Sequence, residues 1–303
     1  MITDSIEERI ITDVLKDTKE YSRIAIQAPE GLKKLSEVIA RELERSGKEV
    51  LIFADPCYGA CDPKDEEARG LGADVLVHLG HADFGLEKCI PVLFYPYYYE
   101  VDVSEEDAAR ISDALGDRDF SICFSVNFDR IAHRLASALS SIGKRPRELQ
   151  RVLGCSFPSV DGVALYVGDG LFHPLGVAVN NSVIAFDPFT RELNEISGED
   201  MDRRKRGRLL GVLNAERVGI LVSTKKGQQH FRDALVIKRH LENRGKKAEI
   251  LVMDRIERDS LTGYGVDAYV NTACPRIATD DDLGKPTINY AELVELESEE
   301  EKS

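Results

Sequence analysis

The sequence predicts an α/β protein made of three repeated units, each a small parallel sheet with crossover helices. Apolar strand-like segments alternate with helical segments that repeat apolar residues at a 3.6-residue period, as parallel α/β folds do. The first strands of the units begin at residues 24, 122 and 220, so the successive offsets are 98 and 98. Gly-Lys pairs that end a helix begin at residues 47, 143 and 245, with offsets of 96 and 102. Two landmarks with matching offsets indicate an internal triplication.

The first unit opens with a predicted strand at residues 24–27. A helix follows, ends at Gly47 and shows an apolar face made of Leu32, Leu35, Val38, Ile39 and Leu43. A second strand, residues 49–53, leads into the octet Asp55-Pro56-Cys57-Tyr58-Gly59-Ala60-Cys61-Asp62, and a helix-like stretch covers residues 63–69. Further strands are predicted at residues 74–78 and 91–95. The octet is therefore a turn at the carboxyl end of a strand, where open α/β sheets place their chemistry.

The second and third units repeat this order of elements. Strands are predicted at residues 122–125, 150–153, 163–167 and 182–186 in the second unit, and at 220–223, 249–252 and 267–270 in the third. In each unit the first strand is followed by a helix, which ends at Gly143 in the second unit and at Gly245 in the third.

Three domains are predicted from this triplication: residues 1–102, 103–196 and 197–303, which carry Cys61, Cys155 and Cys274 respectively. The charged segments 100–106 and 191–204 are predicted as linkers, and the run 295–302 as an acidic C-terminal tail. The triplication favours a pseudo-threefold arrangement in which the strand ends face a common centre.

The composition excludes several classes of protein. The chain has 303 residues, of which 40 are basic and 54 acidic, and the net charge of −14 argues against general nucleic-acid binding. The first residues show no leader of the secretory type, and no apolar run approaches the length of a membrane span. We therefore expect a cytoplasmic protein without membrane contact. Six cysteines in such a chain indicate thiols, metal ligands or catalysis more often than disulfides.

Three cysteines follow predicted strands, one in each unit: Cys61, Cys155 and Cys274. They are candidates for a shared metal site, because iron–sulfur clusters are held by cysteine thiolates, usually four. Three ligands would leave one iron open, as catalytic metal sites keep a position for substrate. The alternative is that all three are small buried hydrophobic residues. Cys57 could supply a second ligand from the same turn as Cys61, but one of the two would be redundant.

The remaining cysteines and the histidines allow less definite interpretations. Cys89 and Cys123 lie in apolar stretches and are predicted to be core residues. His78 and His81 could bind a metal, but with neither a carboxylate nor a cysteine in register we favour a pocket-lining or hydrogen-bonding role. His173 lies in a Gly-rich turn that either holds a small ligand or is a plain tight loop. The segment from Ser223 to Gln228 resembles an anion-binding turn between a strand and a helix, and the alternative is that its lysines are simply solvated.

At these positions the chain resembles a known family. The similar segments are Gln27-x-Pro29-Glu30-Gly31, Tyr58-Gly59-Ala60-Cys61-Asp62, His78-Leu79-Gly80-His81, Leu153-Gly154-Cys155, Gly170-x-Phe172-His173-Pro174, Phe186-Asp187-Pro188, Ser223-x-Lys225-Lys226-Gly227-Gln228 and Ala273-Cys274-Pro275-Arg276. They resemble the archaeal diphthamide-synthesis enzymes, the 3-amino-3-carboxypropyl transferases, in order from about residue 20 to 285.

The resemblance implies a non-classical radical S-adenosylmethionine (SAM) enzyme. Its three homologous domains each give one cysteine to a 4Fe–4S cluster, here Cys61, Cys155 and Cys274. Cleavage of the Cγ–S bond of SAM would release methylthioadenosine and modify C2 of a histidine on elongation factor 2. The expected SAM-binding residues follow strand ends and are Gln27, Gly168, His173, Asp187, Ser223 and Gln228. An electron donor and a homodimer are expected as partners.

Two other functions are compatible with this architecture. Quinolinate synthase also has three repeated domains and a three-cysteine 4Fe–4S cluster, which it uses as a Lewis acid in a dehydration. A non-catalytic subunit that carries a cluster as a relay or scaffold is the third possibility. The motifs above favour the diphthamide enzymes over both.

Overall fold

The computed structural model describes residues 5–153, 158–280 and 283–294. The chain divides into two compact units, one of Met1–Glu100 with Val126–Arg130 and one of Val101–Ser125 with Ile131–Ser303. In the described ranges the strands form three sheets, and no helix there is long and apolar enough to cross a membrane.

The first unit holds one parallel sheet of four strands in the order β2-β1-β3-β4. Its elements are α1 (Ile6–Asp17), β1 (Arg23–Gln27), α2 (Lys33–Arg45), β2 (Glu49–Phe53), α3 (Asp65–Gly70), β3 (Val75–Gly80) and β4 (Val92–Pro96). The core of the unit lies between the sheet and the apolar faces of α1 and α2, which bury Val14, Ile39 and Leu43. All four predicted strands of this part of the chain are confirmed.

The second unit holds two sheets, and the first of them has five strands in the order β6-β5-β7-β8-β9. Its part of the chain contains α4 (Glu105–Leu115), β5 (Phe120–Phe124), α5 (Asp129–Ser141), β6 (Leu149–Arg151), β7 (Val163–Val167), α6 (Phe172–Val177), β8 (Ser182–Phe186) and β9 (Leu193–Ile196). The strand β9 pairs antiparallel with β8, and the other pairs are parallel.

The other sheet of this unit is parallel, with the order β11-β10-β12-β13. Its elements are α7 (Gly198–Asn214), β10 (Arg217–Ser223), α8 (Phe231–Asn243), β11 (Lys247–Met253), α9 (Arg258–Leu261), β12 (Ala268–Asn271), α10 (Arg276–Asp280) and β13 (Thr287–Asn289). The predicted α/β class is thus confirmed. The strands β1, β5 and β10, which recur in the sequence at offsets of 98 residues, each occupy the second position of their sheet.

The three Gly-Lys pairs end their helices in the same way. Gly47, Gly143 and Gly245 have φ values of 84°, 86° and 77°, the left-handed region that favours glycine. The lysine N–H that follows donates to the carbonyl five residues back: Lys48 to Leu43, Lys144 to Leu139 and Lys246 to Leu241, at 3.1, 2.9 and 3.1 Å. The repeated landmark in the sequence is therefore a repeated helix C-cap.

The two predicted linkers are only partly correct: a boundary between the two compact units falls after Glu100, inside the first of them, but the charged residues at its end belong to α4. Ser104 caps α4 by accepting from the N–H of Asp107, and the Asp107 carboxylate accepts from the N–H of Ser104, so the charged run there begins a helix. The second charged segment contains β9 and the start of α7. Acidic residues near a helix start are stabilising, so a charged run alone does not distinguish a linker from a helix N-terminus.

Candidate metal centre

The carboxyl edge of the first sheet is organised by the side-chain amide of Gln27, the last residue of β1. Gln27 is 1% exposed, and its register partner on β3 is His78. Its Nε2 donates to the carbonyl oxygen of Asp62 at 2.8 Å, and its Oε1 accepts from the backbone N–H of Lys64 at 3.1 Å. Each amide atom has a partner of fixed polarity, so the orientation of the amide is determined. Gln27 thereby ties the turn after Cys61 to the sheet.

His78 and His81 form a close pair beside this amide. Nδ1 of His78 lies 3.1 Å from Oε1 of Gln27, and Nε2 of His78 lies 3.0 Å from Nδ1 of His81. Burial lowers the pKa of His78 to about 3, with a smaller contribution from the charge of His81, and it lowers the pKa of His81 to about 4. Both rings are therefore neutral near pH 7.

The turn between the two histidines depends on Gly80. Its φ is +84°, and a Cβ at this position would lie 2.9 Å from Cγ of Pro29. The carbonyl oxygen of Gly80 accepts from Nδ2 of Asn127 at 3.2 Å. Glycine is therefore required both by the backbone conformation and by the close approach of Pro29.

Cys57 joins the two histidines. Its Sγ lies 3.8 Å from Nε2 of His78, and the candidate ligand atoms of Cys57, His78 and His81 all lie within 4.8 Å of one another. The prediction that no cysteine is in register with these histidines is wrong. Cys57 follows β2, whereas His78 lies on β3, and β1 separates these two strands in the sheet. The contact is made between the carboxyl ends of strands that are not neighbours in the sheet. It therefore gives no short metal-binding motif in the sequence.

Cys61 occupies a tight turn and is half-buried. The N–H of Asp62 donates to the carbonyl of Gly59 at 3.3 Å, and a Cβ on Gly59 would lie 3.3 Å from Sγ of Cys61. Lys64, only 7% exposed, places Nζ 3.3 Å from Oδ1 of Asp62. The Cys61 thiol therefore lies close to the backbone of Gly59, and a buried ion pair between Asp62 and Lys64 follows it in the chain.

Cys274 lies in a second cysteine turn, two residues before α10 begins, and is also half-buried. Nδ2 of Asn271 donates to the carbonyl of Cys274 and to Oδ1 of Asn289, both at 2.8 Å. Nδ2 of Asn289 donates to the carbonyl of Pro275 at 3.0 Å, and the N–H of Ala273 donates to Oδ1 of Asn271 at 3.1 Å. Two buried amides at the ends of β12 and β13 thus hold the turn on both sides of the cysteine.

His173 lies in the first turn of α6, and not in the Gly-rich turn itself, which precedes the helix. Its ring is stacked on Tyr166, with centroids 6.0 Å apart and planes inclined by 9°. Arg276 places its guanidinium carbon 3.9 Å from the ring centroid of Phe172, next to His173. Burial lowers the pKa of His173 to about 4, and the charge of Arg276 acts in the same direction. Within the second compact unit, Arg276 of the Cys274 motif therefore contacts Phe172 of the His173 motif.

Gly168 and Asp187 follow the neighbouring strands β7 and β8. The N–H of Gly168 donates to the carbonyl of Phe186 at 3.1 Å, and a Cβ there would lie 2.5 Å from the hydroxyl oxygen of Tyr166. Oδ1 of Asp187 accepts from the N–H groups of Phe189 and Thr190 at 2.8 and 3.3 Å. Asp187 therefore organises the turn into β9, which the sequence did not reveal.

Ser223 and Gln228 follow β10, and the turn does not open a helix directly. Oγ of Ser223 donates to the carbonyl of Asp254 at 3.1 Å and accepts from the N–H of Lys225 at 3.2 Å. Gln228 ends a 3-10 turn, Lys226–Gln228, and α8 begins at Phe231. The segment therefore lies between a strand and a helix, as predicted, but the 3-10 turn separates it from the N-terminus of α8.

The remaining cysteines differ in environment. Cys155 lies outside the described residues. Cys123 is fully buried on β5, and burial raises the pKa of its thiol to about 12, so its prediction as a core residue is confirmed. Cys89 is only half-buried, which corrects its prediction as a core residue.

Comparison with known proteins gives one family. The profile of the diphthamide synthesis protein family matches residues 28–302. The 2-(3-amino-3-carboxypropyl)histidine synthase of Pyrococcus horikoshii is 34% identical over 292 residues, which cover 89% of this chain and 84% of that protein.

Solved structures give the same result. The crystal structure of Dph2 from Pyrococcus horikoshii matches with a TM-score of 0.86 and 31% identity, covering 98% of this chain and 91% of that one. The structure of that protein with a 4Fe-4S cluster matches with a TM-score of 0.84 and 32% identity, covering 96% of this chain and 89% of that one. The chain therefore belongs to the diphthamide synthesis protein family, as one of its enzymes.

Proposed function

We propose that this enzyme transfers the 3-amino-3-carboxypropyl group of SAM to C2 of a histidine in elongation factor 2, releasing methylthioadenosine. This reaction is the first step of diphthamide biosynthesis. The family and the name of the Pyrococcus horikoshii relative, a 2-(3-amino-3-carboxypropyl)histidine synthase, support the assignment. We further propose that the protein acts in the cytoplasm as a homodimer and takes its electrons from a separate donor.

The cluster ligands in this proposal are Cys61, Cys155 and Cys274. The two that the structure describes fit an iron–sulfur cluster by their chemistry. Both offer half-buried thiols at the carboxyl ends of strands, unlike the buried Cys123. A bound, reduced cluster would supply the electron for a radical cleavage of SAM, with one iron open to the sulfonium substrate.

The observation that carries the proposal is a matched pair of cysteine turns. A buried amide donates to the carbonyl of Asp62 directly after Cys61, and another donates to the carbonyl of Cys274 itself, each at 2.8 Å. In both turns the amide belongs to the last residue of a strand, Gln27 or Asn271. The protein thus holds the backbone at each of these cysteines from a buried strand end, which positions the thiol as outer hydrogen bonds position the ligands of a metal site.

We propose that the SAM-binding residues lie at the strand ends and in the segments that follow them: Gln27, Gly168, His173, Asp187, Ser223 and Gln228. The low pKa of His173 supports this role, because a neutral imidazole does not repel the positively charged sulfonium. Close packing of Gly168 against Tyr166 keeps the backbone at that turn in one position.

The ligand assignment is tested by removing one thiol at a time. Anaerobically purified Cys61→Ala, Cys155→Ala and Cys274→Ala proteins should each lose most of the iron, sulfide and reduced-state EPR signal. Cys89→Ala and Cys123→Ala are the matched controls and should keep them. Full cluster occupancy in Cys155→Ala would refute the assignment.

The reaction is tested by its products. Dithionite-reduced enzyme with SAM should release methylthioadenosine, and elongation factor 2 should gain mass at one histidine. Substitution of that histidine should abolish the gain. Formation mainly of 5′-deoxyadenosine would refute the proposed bond cleavage, and formation of quinolinate would support the alternative function.

A further inference from the structure

We propose that Cys57, His78 and His81 form a second metal site that binds one divalent cation of the zinc class. The inference does not rest on the proposed function, because the site uses none of the three cluster cysteines. Its three candidate ligand atoms converge to within 4.8 Å, from the turn after β2 and from the end of β3.

The hydrogen bonds of Gln27 determine which histidine nitrogen can bind a metal. Its Oε1 accepts from the N–H of Lys64 and its Nε2 donates to Asp62, so Oε1 is the atom that faces His78. Nδ1 of His78 must therefore carry a hydrogen, which leaves a lone pair on Nε2. Metal-bound histidines are held in this way, by donating the other ring N–H to an oxygen.

That lone pair is directed toward the other two ligand atoms. Nε2 of His78 lies 3.0 Å from Nδ1 of His81 and 3.8 Å from Sγ of Cys57. In a tetrahedral zinc site with ordinary bond lengths, two nitrogens are about 3.3 Å apart, and a nitrogen and a sulfur about 3.6 Å. Both observed distances are within a few tenths of an ångström of these values.

The three candidate ligands are also shielded from solvent to different degrees. Cys57 is 2% exposed and His78 is fully buried, whereas His81 is half-buried and completes the group from the outer side. Burial favours neutral imidazoles, the form that binds metals, which is consistent with the lowered pKa of both rings. Gly80 lies between the two histidines in the sequence, and the close approach of Pro29 leaves no room for a side chain there.

The ligand set selects the metal. One thiolate and two imidazoles are borderline-soft donors that suit Zn²⁺ and exclude Mg²⁺ and Ca²⁺, which require oxygen ligands. Three protein ligands leave the fourth position for a solvent molecule or for a nitrogen or oxygen of a bound small molecule, as in catalytic zinc sites.

The test uses the full chain with Cys61→Ser, Cys155→Ser and Cys274→Ser, so that the cluster thiols cannot bind zinc. Competition with a chromogenic chelator should show one equivalent of Zn²⁺ bound. Adding Cys57→Ser should weaken this binding at least tenfold, and adding Gln27→Ala should weaken it about 10- to 100-fold. Adding Cys89→Ser or His133→Gln, at positions outside the site, should change nothing.

A second measurement covers the case in which the triple variant fails to fold. Zinc-edge X-ray absorption of cluster-loaded wild-type protein should show a mixed shell of one sulfur with nitrogen neighbours. Zn²⁺ should also raise the Tm of the wild-type protein but not that of Cys57→Ser. An all-sulfur shell, no bound zinc, or undiminished binding in Cys57→Ser would overturn the proposal. Loss of the cluster in Cys57→Ser with no zinc in the wild type would instead make Cys57 a cluster ligand.

Discussion

Gln27 shows how one buried side chain can set the chemistry of several others. It lies across from His78 in the sheet register, and it fixes the tautomer of that histidine while holding the backbone after Cys61. The sequence singled out Gln27 because it ends a strand, but it did not reveal these contacts. Hydrogen-bond partners on neighbouring strands are set by register, which a single sequence does not display.

Gly80→Ala should destabilise the protein by about 2 to 4 kcal/mol, because the added methyl group meets Pro29 and the backbone has a positive φ. Gly85→Ala is the matched control, since Gly85 has a φ of +78° but no atom near its Cβ position. It should lose only about 1 kcal/mol. Urea unfolding measures both values, and equal losses would show that the contact with Pro29 is unimportant.

The buried histidines make stability depend on pH, and His173 gives the cleanest test. Its pKa is about 4 in the folded protein and about 6.5 when unfolded, so between these values the unfolded chain binds more protons. Stability is therefore complete above pH 6.5 and falls as the pH decreases toward 4.

From pH 7 to pH 5 this one group should remove about 2 kcal/mol of unfolding free energy. His173→Gln should make the decline shallower by that amount in urea titrations at the two pH values. His133→Gln, at an exposed position, is the matched control. An identical decline in wild type and His173→Gln would contradict the burial of a neutral ring.

At the scale of elements, the carboxyl end of the short strand β12 supports the Cys274 turn. Asn271 and Asn289 are register partners on the neighbouring strands β12 and β13, and they hold the Cys274 turn from within the sheet. The N–H of Asn289 also donates to Glu292, which pairs with Arg208 of α7 at 2.9 Å. The helix, the strand end and the cysteine turn therefore form one connected polar network.

Asn271→Ala should lower the unfolding free energy by at least about 2 kcal/mol, because it leaves buried polar groups of Asn289 and the Cys274 turn without partners. It should also reduce the iron content of the anaerobically purified protein. Asn243→Ala, at an exposed helix position, should change stability by less than about 0.5 kcal/mol. Normal iron loading in a folded Asn271→Ala protein would show that the turn does not need this support.

For the whole molecule, the repeat was the strongest information in the sequence. Helix ends and first strands were predictable because Gly-Lys caps and buried parallel strands leave local patterns. The helices α1, α4, α6, α7, α9 and α10, the edge strands β9 and β13, and the contact of Cys57 with His78 were not predicted. Short edge strands carry little periodicity, charged helix starts look like linkers, and contacts between strand ends depend on strand order.

The repeat also has a consequence for the rates of local opening. In each of the three sheets the first strand lies between two parallel neighbours: β1, β5 and β10 are flanked by β2 and β3, β6 and β7, and β11 and β12. All three strands are almost wholly buried. Amide hydrogen exchange should therefore be slowest in three short islands about one hundred residues apart, while the outer strands β6, β9 and β13 exchange sooner. In hydrogen-exchange mass spectrometry, the triplication would appear as three slowly exchanging segments that recur about every hundred residues along the chain.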